Sequence, residues 1–372
     1  MPSEAVRAQL LGRSTRHGAV QIVQRMGQGG IETLALDLIH SGVAGRGLFS
    51  LQSDASELIA AWPALSRVAP ILAGFRQGPG FDIRMLAALT HRLRQLRPLA
   101  VVVHHIGPLL YGGLAARMAG VPHVVHVEHD AWHYEREPKN IKIAKVAQRL
   151  VRPRRVAVSK DIARAVTAFL PGATFTVIPP AIDNARFVPR DKAAARVALG
   201  FRPEWRIAGT AGRLVEVKGH AILIAALVHL PADVHVVIAG EGPLDGALLR
   251  QAAALGLEDR VHLIGRTDQL ELVLPAFDIF VLPSLNEGLP RVILEAQSCG
   301  LGVAASAVGS IADAVNPGTA RLFPASDSAA CAQAMRVLFE QGPAGAMANR
   351  AFVEQHFSWT TAVNDYRALI GT

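Results

Sequence analysis

Short apolar runs alternate with longer amphipathic stretches throughout the chain. The runs are rich in Val, Ile and Ala and end at Gly, Pro or polar residues, a pattern typical of strands. Because successive positions are apolar, they indicate parallel strands that crossover helices cover on both faces. The predicted strands are Ala19–Gln24, Gly47–Leu51, Arg67–Leu72, Ala100–His104, His123–Glu128, Arg155–Ser159, Thr174–Ile178, Ile207–Ala211, Val234–Ala239, Val261–Ile264, Ile279–Leu282 and Gly302–Ala305. The predicted helices are Ile31–His40, Ile83–Leu96, Ile141–Leu150, His220–Leu230, Leu244–Leu255, Arg291–Ser298 and Ala329–Glu340.

This alternation predicts an α/β fold of two Rossmann-like, doubly wound parallel-sheet domains facing a central cleft. The segment Pro179–Pro189 contains three prolines and interrupts the pattern, which indicates a linker. We expect an N-terminal domain at residues 1–182 and a second domain at residues 183–356. Residues 357–372 are expected to contain one more helix, which packs back on the N-terminal domain.

Composition narrows the class of protein. Of 372 residues, 51% are hydrophobic and 18% are charged, which excludes a disordered chain. The net charge of +8 is uneven, with +13 over residues 1–200 and −5 over residues 201–372. The first half is therefore expected to face an anionic partner: nucleic acid, an acidic membrane or a phosphorylated substrate.

The location of the protein is predicted from its cysteines and its apolar runs. Cys299 and Cys331 have no spacing pattern, which favours a reducing compartment. The first 25 residues carry Arg7 and Arg13 without a continuous apolar segment, so no secretory signal is expected. No run reaches the roughly 18–20 apolar residues of a membrane span.

The most informative motif is the segment 286–296, Asn-Glu-Gly-Leu-Pro-Arg-Val-Ile-Leu-Glu-Ala, which follows a predicted buried strand. Pro290 suits the first position of a helix, so Gly288 and Leu289 would present backbone N–H groups at its start. Such a helix start favours a phosphate or a polar sugar face. An ordinary helix cap is the simpler interpretation of the segment taken alone.

A second motif, the segment 209–219, leaves one predicted strand and enters a helix. Its glycines allow close backbone approach, and Arg213 and Lys218 place two cations at the carboxyl end of the strand. Two fixed cations suit a diphosphate, although a solvated surface loop fits the segment equally well on its own. The Gly-Lys-Ser/Thr of a Walker loop is absent.

Two further glycine-rich segments resemble a dinucleotide fingerprint without matching it. The segment 27–32, Gly-Gln-Gly-Gly-Ile-Glu, has Glu32 where the last glycine belongs. The segment 240–246 is followed by a strand that ends without an acidic residue for a ribose. A nicotinamide-dependent oxidoreductase is therefore disfavoured.

Histidines are concentrated between residues 104 and 133. Strand geometry argues against a metal cluster, because His123 and His129 would lie about 20 Å apart at about 3.3 Å per residue, and His126 would face the other way. We therefore predict no metal site. His129 is expected at the carboxyl end of its strand, where its side chain can face the cleft. The histidines are His104, His105, His123, His126, His129 and His133.

These motifs, taken together and in this order, resemble glycosyltransferase family 4. The resemblance implies a GT-B fold and a retaining enzyme that uses a nucleotide sugar. It departs from the family at Pro180-Ala181, where Asn-Gly is common. The resemblance rests on Gly29-Gly30-Ile31-Glu32, Val158-Ser159-Lys160, the segment Ile178–Asp183, Arg213 with Lys218, Val281-Leu282-Pro283-Ser284, and Glu287-Gly288-Leu289-Pro290 followed by Glu295.

The resemblance also assigns roles to individual residues. Arg213 and Lys218 would hold the donor diphosphate, and Glu295 would bind the ribose. Glu287 and the segment Gly288-Leu289-Pro290 would hold the donor sugar, which His129 would contact from the first domain. Gly29 and Gly30 would let the first helix approach phosphates or acceptor. No Asp-x-Asp motif occurs, so we expect the two cations to replace a divalent metal, with no cofactor and with a UDP-sugar or GDP-sugar as donor.

The basic segment Arg136–Lys160 contains nine Lys or Arg residues and one acid. Its amphipathic pattern favours attachment to an anionic membrane, on the cytoplasmic face of the plasma membrane, although a core-facing helix with a solvated side fits as well. The acceptor is then expected to be a glycan or a lipid-linked glycan, as in polysaccharide or lipopolysaccharide synthesis. The alternatives are a sugar-nucleotide epimerase of the same fold and a basic nucleic-acid-binding protein. The latter lacks an aromatic platform, and we expect no nucleic-acid partner.

Overall fold

A computed structural model of the protein describes residues 16–27, 29–78 and 80–371. The chain divides into two compact units: the first runs to Ile178 and resumes at Val363, and the second is Pro179–Ala362. The predicted boundaries were 182/183 and 356/357. The division differs because Ile182 pairs with Ser358, and Ile182 and Phe357 are both buried in the core of the second unit.

The described part of the first unit contains a sheet of seven parallel strands in the order β3-β2-β1-β4-β5-β6-β7. The chain winds outward from β1 in both directions, so the strand order reverses between β1 and β4. All five residues of β1 and of β4 are buried, as their apolar sequences predict. The strands are β1 Ala19–Val23, β2 Gly47–Ser50, β3 Leu72–Gly74, β4 Ala100–His104, β5 His123–Glu128, β6 Arg154–Ala157 and β7 Thr176–Val177.

The second unit contains a six-stranded parallel sheet in the order β10-β9-β8-β11-β12-β13, counted over the described residues. Its order reverses between β8 and β11. The strands are β8 Arg206–Ala211, β9 Val234–Ala239, β10 Val261–Leu263, β11 Ile279–Leu282, β12 Gly302–Ser306 and β13 Arg321–Phe323. Two doubly wound parallel sheets confirm the predicted fold class.

Helices cover the faces of each sheet. In the first unit they are α1 Gly30–His40, α2 Ala55–Ala61, α3 Ile83–Leu96, α4 Ile106–Pro108, α5 Leu114–Met118, α6 Trp132–Arg136, α7 Pro138–Val151 and α8 Lys160–Phe169, with a π-helical segment at Leu109–Gly113. In the second they are α9 Lys192–Leu199, α10 His220–Ala226, α11 Asp245–Ala254, α12 Leu270–Val273, α13 Arg291–Ser298, α14 Ile311–Ala314, α15 Ser328–Gln341 and α16 Ala346–His356. Helix α17, Trp359–Ile370, begins in the second unit and continues into the first at Val363. Shorter 3₁₀ segments are Pro63–Ile71, Glu216–Lys218, Leu227–His229, Glu258–Arg260, Leu274–Ala276 and Gly342–Gly345.

The last residues of α17 belong to the first unit and contact other parts of it. Arg154 donates a hydrogen bond to the carbonyl of Leu369. Arg367 donates to the carbonyl of Ser41 at 3.4 Å. Among the described residues, every helix is too short or too polar to span a bilayer.

One predicted strand is wrong. Arg67–Leu72 lies mostly in the 3₁₀ segment Pro63–Ile71, and β3 begins only at Leu72. Pro63 and Pro70 lack the N–H groups that a strand would donate, and Leu65 and Val68 are buried from the 3₁₀ turn instead.

Candidate active site

Two loops meet where the strand order of the second sheet reverses. One follows β8 and carries Arg213 and Lys218; the other follows β11 and carries Glu287. In doubly wound sheets, the carboxyl ends of the strands on either side of such a reversal border the ligand crevice. The strand order thus places the predicted motifs at residues 209–219 and 286–296 side by side.

Main-chain contacts hold these loops together. The Leu285 N–H donates to the Val217 carbonyl at 2.8 Å. Gly219 has a φ of +66°, and a Cβ there would lie 2.0 Å from the Pro283 carbonyl oxygen. Only glycine permits that close approach in the left-handed region. The distance between the loops is therefore fixed by backbone.

Side chains then join the two loops. Lys218 Nζ donates to Glu287 Oε1 at 2.6 Å, and Ser284 Oγ donates to the same oxygen at 2.6 Å. The side chains of Lys218 and Glu287 are 22% and 10% exposed, so solvent weakens their attraction less than it would at an open surface. Arg213 is exposed on the same loop. The structure therefore brings two of the predicted residues into direct contact and leaves Arg213 accessible.

A third loop, after β9, lies against the loop that carries Lys218. A Cβ on Gly240 would lie 1.9 Å from the Gly212 carbonyl oxygen, and one on Gly242 would lie 2.5 Å from that of Leu214. The Leu214 N–H donates to the Glu241 carbonyl at 3.0 Å. Gly240 and Gly242 thus allow the two loops to pack closely.

Helix α13 has the predicted bounds, Arg291–Ser298, but Pro290 is not its first helical residue as the motif had suggested. Pro290 is its N-cap, with φ −76° and ψ 110°, and Arg291 is the first helical residue. Gly288 and Leu289 precede the helix and are half-buried, and the Gly288 carbonyl accepts from the Ser310 N–H at 3.1 Å. Glu295 lies about one turn into the helix, half-buried.

In the first unit, His129 follows β5 and belongs to a hydrogen-bonded chain. Gln21 Oε1 and His104 Nε2 are 2.8 Å apart, and His104 Nδ1 and His129 Nε2 are 2.9 Å apart. Since an amide oxygen only accepts, His104 donates through Nε2 and accepts at Nδ1, so His129 donates through Nε2. Burial lowers the pKa of His104 to about 3 and that of His129 well below its usual range. Both rings are therefore neutral at physiological pH, and Nδ1 of His129 is its acceptor.

Gly29 and Gly30 lie at the start of α1 in the first unit. Gly29 is the N-cap, and Gly30 is the first helical residue. A Cβ on Gly29 would lie 2.5 Å from the Glu32 carboxylate. Gln28 of the same motif lies outside the described residues, as do Arg7 and Arg13 of the predicted non-secretory segment.

Histidines from neighbouring strands cluster in the structure, which the spacing along a single strand did not predict. His104 is the last residue of β4 and His105 follows it, beside the end of β5, where Asp130 and His133 also lie. Ring centroids are 5.2 Å apart for His105 and His129 and 4.9 Å apart for His105 and His133. His123, at the start of β5, lies instead beside Gly371.

This cluster opens into a cavity of about 610 Å³ at the reversal point of the first sheet. Gln24 lines it after β1 and His105 after β4, with aromatic walls from Phe81, Tyr111 and Trp132. Burial disfavours a proton on His105, yet the carboxylates of Glu128 and Asp130 outweigh it and raise the pKa of His105. Sequence reasoning missed His105, Asp130 and His133. The adjacency of β4 and β5, which consecutive βαβ units favour, would have pointed to them.

Two doubly wound parallel sheets, one with lysine, arginine and glycine at its reversal point, define a class of two-domain α/β proteins. A family model described as "Glycosyltransferase Family 4" matches residues 28–186, and one described as "Glycosyl transferases group 1" matches residues 206–341. The chain belongs to these glycosyltransferase families, with one domain of each.

Individual relatives agree with this assignment. A D-inositol 3-phosphate glycosyltransferase of Mycolicibacterium gilvum is 38% identical over 199 residues, which are 50% of this chain and 44% of that protein. The chain thus matches about half the length of such curated relatives. The crystal structure of Anabaena HepE in complex with UDP has a TM-score of 0.83 at 21% identity and covers 95% of this chain and 99% of its own. That of WaaG, a glycosyltransferase involved in lipopolysaccharide biosynthesis, has a TM-score of 0.71 at 15% identity and covers 95% and 100%. At these identities, the structures show the GT-B fold.

Proposed function

We propose that this chain transfers a sugar from a nucleotide-diphosphate sugar to a glycan or lipid-linked acceptor, with retention of anomeric configuration. The proposed setting is the synthesis of cell-surface polysaccharide or lipopolysaccharide. The observation that carries it is the contact of Lys218 with Glu287 at the reversal point of the second sheet. The relation to D-inositol 3-phosphate glycosyltransferase and the fold shared with HepE and WaaG support the same reaction class.

Lys218 and Arg213 would bind the donor diphosphate. As the bond to the sugar breaks, negative charge grows on the leaving nucleotide, and fixed cations stabilise it without reorganisation. Lys218 is held at Glu287 Oε1, an oxygen that Ser284 also contacts. When a diphosphate draws Lys218 away, Glu287 keeps the hydrogen bond from Ser284. It therefore stays in position to accept from a sugar hydroxyl.

The other predicted residues complete the donor site in this proposal. Gly288, Leu289 and Pro290 would follow the sugar with their backbone, and Glu295 would bind the ribose. His129 would contact the sugar through Nδ1, the nitrogen left as an acceptor by the chain from Gln21. Retention follows either from a covalent intermediate or from attack on the face that the nucleotide leaves, and the proposal covers both routes.

The donor is proposed to be a UDP-sugar or a GDP-sugar. HepE is described in complex with UDP and, in another crystal structure, with UDP-glucose, which favours UDP. A calorimetric titration with UDP-, GDP- and ADP-sugars in EDTA tests the donor, and product analysis then tests the reaction. We expect one nucleotide sugar to bind and its nucleotide to be released only with an acceptor. Epimerised nucleotide sugar without acceptor would instead support the epimerase of the same fold.

The acceptor is proposed to lie at an anionic membrane, on its cytoplasmic face. Helix α7 buries Ala144, Ala147 and Val151 against the first unit. Its opposite face combines exposed cations with exposed apolar side chains, the composition that favours an interfacial helix. These side chains are Lys142, Lys145, Val146, Arg149 and Leu150.

Vesicle flotation tests the membrane proposal. We expect the protein to float with vesicles containing anionic phosphatidylglycerol, less so in high salt, and not with neutral phosphatidylcholine vesicles. The double substitution Lys142→Glu and Lys145→Glu should reduce flotation. Flotation that is unchanged by both high salt and this substitution would contradict membrane binding through α7.

A further inference from the structure

The cluster in the first unit has a composition that the transfer reaction does not require. His105, Asp130 and His133 each offer one side-chain ligand atom, and these atoms lie within 4.8 Å of one another. All three side chains line the cavity of the first unit. We propose that His105, Asp130 and His133 bind a divalent transition-metal cation, with Zn²⁺ as the best fit.

The distances suit such a cation. His105 Nε2 and Asp130 Oδ2 are 3.6 Å apart, which is too long for a hydrogen bond. Ligand atoms about 2.1 Å from a tetrahedral zinc ion are about 3.4 Å apart. His133 Nδ1 lies 2.8 Å from Asp130 Oδ1, so a proton joins them in the metal-free form. A cation would take the place of that proton, with a small separation of the two side chains.

The far nitrogens of the same two rings face a second carboxylate. Glu128 is fully buried, and its Oε2 lies 3.7 Å from His105 Nδ1 and 3.7 Å from His133 Nε2. These three atoms are buried and have no hydrogen-bond partner in the described part of the chain. A histidine that binds a metal through one nitrogen commonly donates the other N–H to a carboxylate, which fixes its tautomer. Glu128 is placed to accept from both rings once their inner nitrogens hold the cation.

Glu128 itself is held in place from behind. Its Oε1 accepts a hydrogen bond from the Tyr134 hydroxyl, and Tyr134 is almost fully buried. A buried carboxylate with one free oxygen is costly unless a positive charge lies nearby. A divalent cation between the two rings would supply that charge for Glu128 and Asp130 together.

The backbone supports the same interpretation. His105 has φ +68° and ψ −177°, a strained conformation for a residue other than glycine. This conformation directs the residue after β4 toward the end of β5. Strain of this kind concentrates at functional sites, because the surrounding structure must maintain it.

Two imidazoles and one carboxylate favour zinc over magnesium, since magnesium prefers an all-oxygen octahedral shell. The cavity beside the ligands gives an incoming oxygen ligand access to the cation. The site would therefore present a Lewis acid to hydroxyl or phosphate groups that enter the first unit. It lies apart from Lys218 and Glu287 in the chain, and its occupancy does not depend on the proposed transfer.

Calorimetry on the untagged full chain, stripped of metal with EDTA and dialysed, tests the site. We expect one Zn²⁺ to bind per chain, with release of protons, and Mg²⁺ to bind at least 100-fold more weakly. Co²⁺ should give the visible absorption of a four-coordinate ion. Asp130→Asn and His133→Asn should each weaken Zn²⁺ binding at least 100-fold, while His123→Asn, at the start of β5 and outside the cluster, leaves it unchanged.

The role of Glu128 is tested separately from folding. Glu128→Gln should weaken Zn²⁺ binding about 10- to 100-fold, and Tyr134→Phe, which removes only the contact behind it, should weaken it less. Thermal unfolding of each apo variant shows whether the fold is kept. Absence of saturable Zn²⁺ binding below 1 mM (roughly −4.1 kcal/mol), or binding that survives both Asp130→Asn and His133→Asn, would overturn the proposal. Neither result bears on donor binding at Lys218.

Discussion

The two sheets reverse their strand order in the same way, yet the loops at their reversal points carry different chemistry. In the first unit, the ends of β1, β4 and β5 border an aromatic cavity that is lined by His105, His133 and the half-buried Asp130. In the second, the loops after β8, β9 and β11 approach one another closely through glycines, and the side chains of Lys218 and Glu287 are in contact. The sheet fixes where a ligand can bind, whereas the loop residues decide which ligand.

The largest effect is expected at Lys218. Lys218→Met should lower kcat about 10²- to 10³-fold, or about 2.7–4 kcal/mol, because a fixed charge on the leaving diphosphate is lost. Steady-state transfer assays with the identified donor measure it. Lys192→Met is a matched control, since Lys192 Nζ and Asp278 Oδ1 are also 2.6 Å apart but lie at the amino end of β11. Equal losses in the two variants would mean that Lys218 only stabilises the fold.

The next effect tests whether backbone fixes the loops of the second unit. Gly219→Ala combines a positive φ with a Cβ only 2.0 Å from a carbonyl oxygen. It should destabilise the protein by about 2–4 kcal/mol from strain and overpacking, and weaken UDP binding.

Gly200→Ala provides the control for that variant. Gly200 also has a positive φ, +72°, but its Cβ would meet nothing within 4 Å. It should cost only about 1 kcal/mol and leave UDP binding intact. Urea unfolding and calorimetry measure both variants, and equal costs would show that the contact with Pro283 carries no weight.

Much of the fold was predictable because most of its parallel strands are buried on both faces and therefore appear in the sequence as continuous apolar runs. β4, β5, β9 and β11 have the predicted bounds. β13, Arg321–Phe323, was missed because two of its three residues are not buried. Its position at the edge of the sheet depends on its pairing with β12, and the hydrophobic pattern of the segment alone does not predict that pairing.

The two sites were predictable to different degrees for the same reason. Lys218 and Glu287 stand in contiguous motifs that follow adjacent strands, so their meeting follows from strand order. The cluster of His105, Asp130 and His133 is assembled from two strand ends and a short helix, each with one or two of its members. Spacing along a single strand contains no information on such a cluster.

A smaller effect separates the two acidic residues of the donor motif. Glu287→Gln should weaken binding of the nucleotide sugar about tenfold, about 1.4 kcal/mol, and leave UDP unchanged, since Glu287 is proposed to hold the sugar. Glu295→Gln should weaken both ligands alike, because it is proposed to bind the ribose. Calorimetric titrations of the two variants with both ligands measure the difference. The opposite pattern would exchange the two assignments.

The smallest expected effect is that of divalent metal on the affinity for UDP, which we expect to be nearly constant. This prediction tests directly whether the two reversal points differ in chemistry. If Lys218 and Arg213 supply the positive charge for the diphosphate, removing divalent metal should change the Kd of UDP by less than about twofold. EDTA should at the same time remove Zn²⁺ from the first unit, because that cation is bound by His105, Asp130 and His133. Calorimetric titration of UDP into apo and Zn²⁺-loaded protein measures both states. A tenfold loss of UDP affinity in EDTA, restored by Mg²⁺ or Mn²⁺, would assign a metal to the second unit and contradict the division of chemistry between the two sheets. A tenfold loss of UDP affinity in Lys218→Met that does not depend on metal would support this division. The charge of the lysine would then stabilise the diphosphate, as a bound cation does in metal-dependent enzymes.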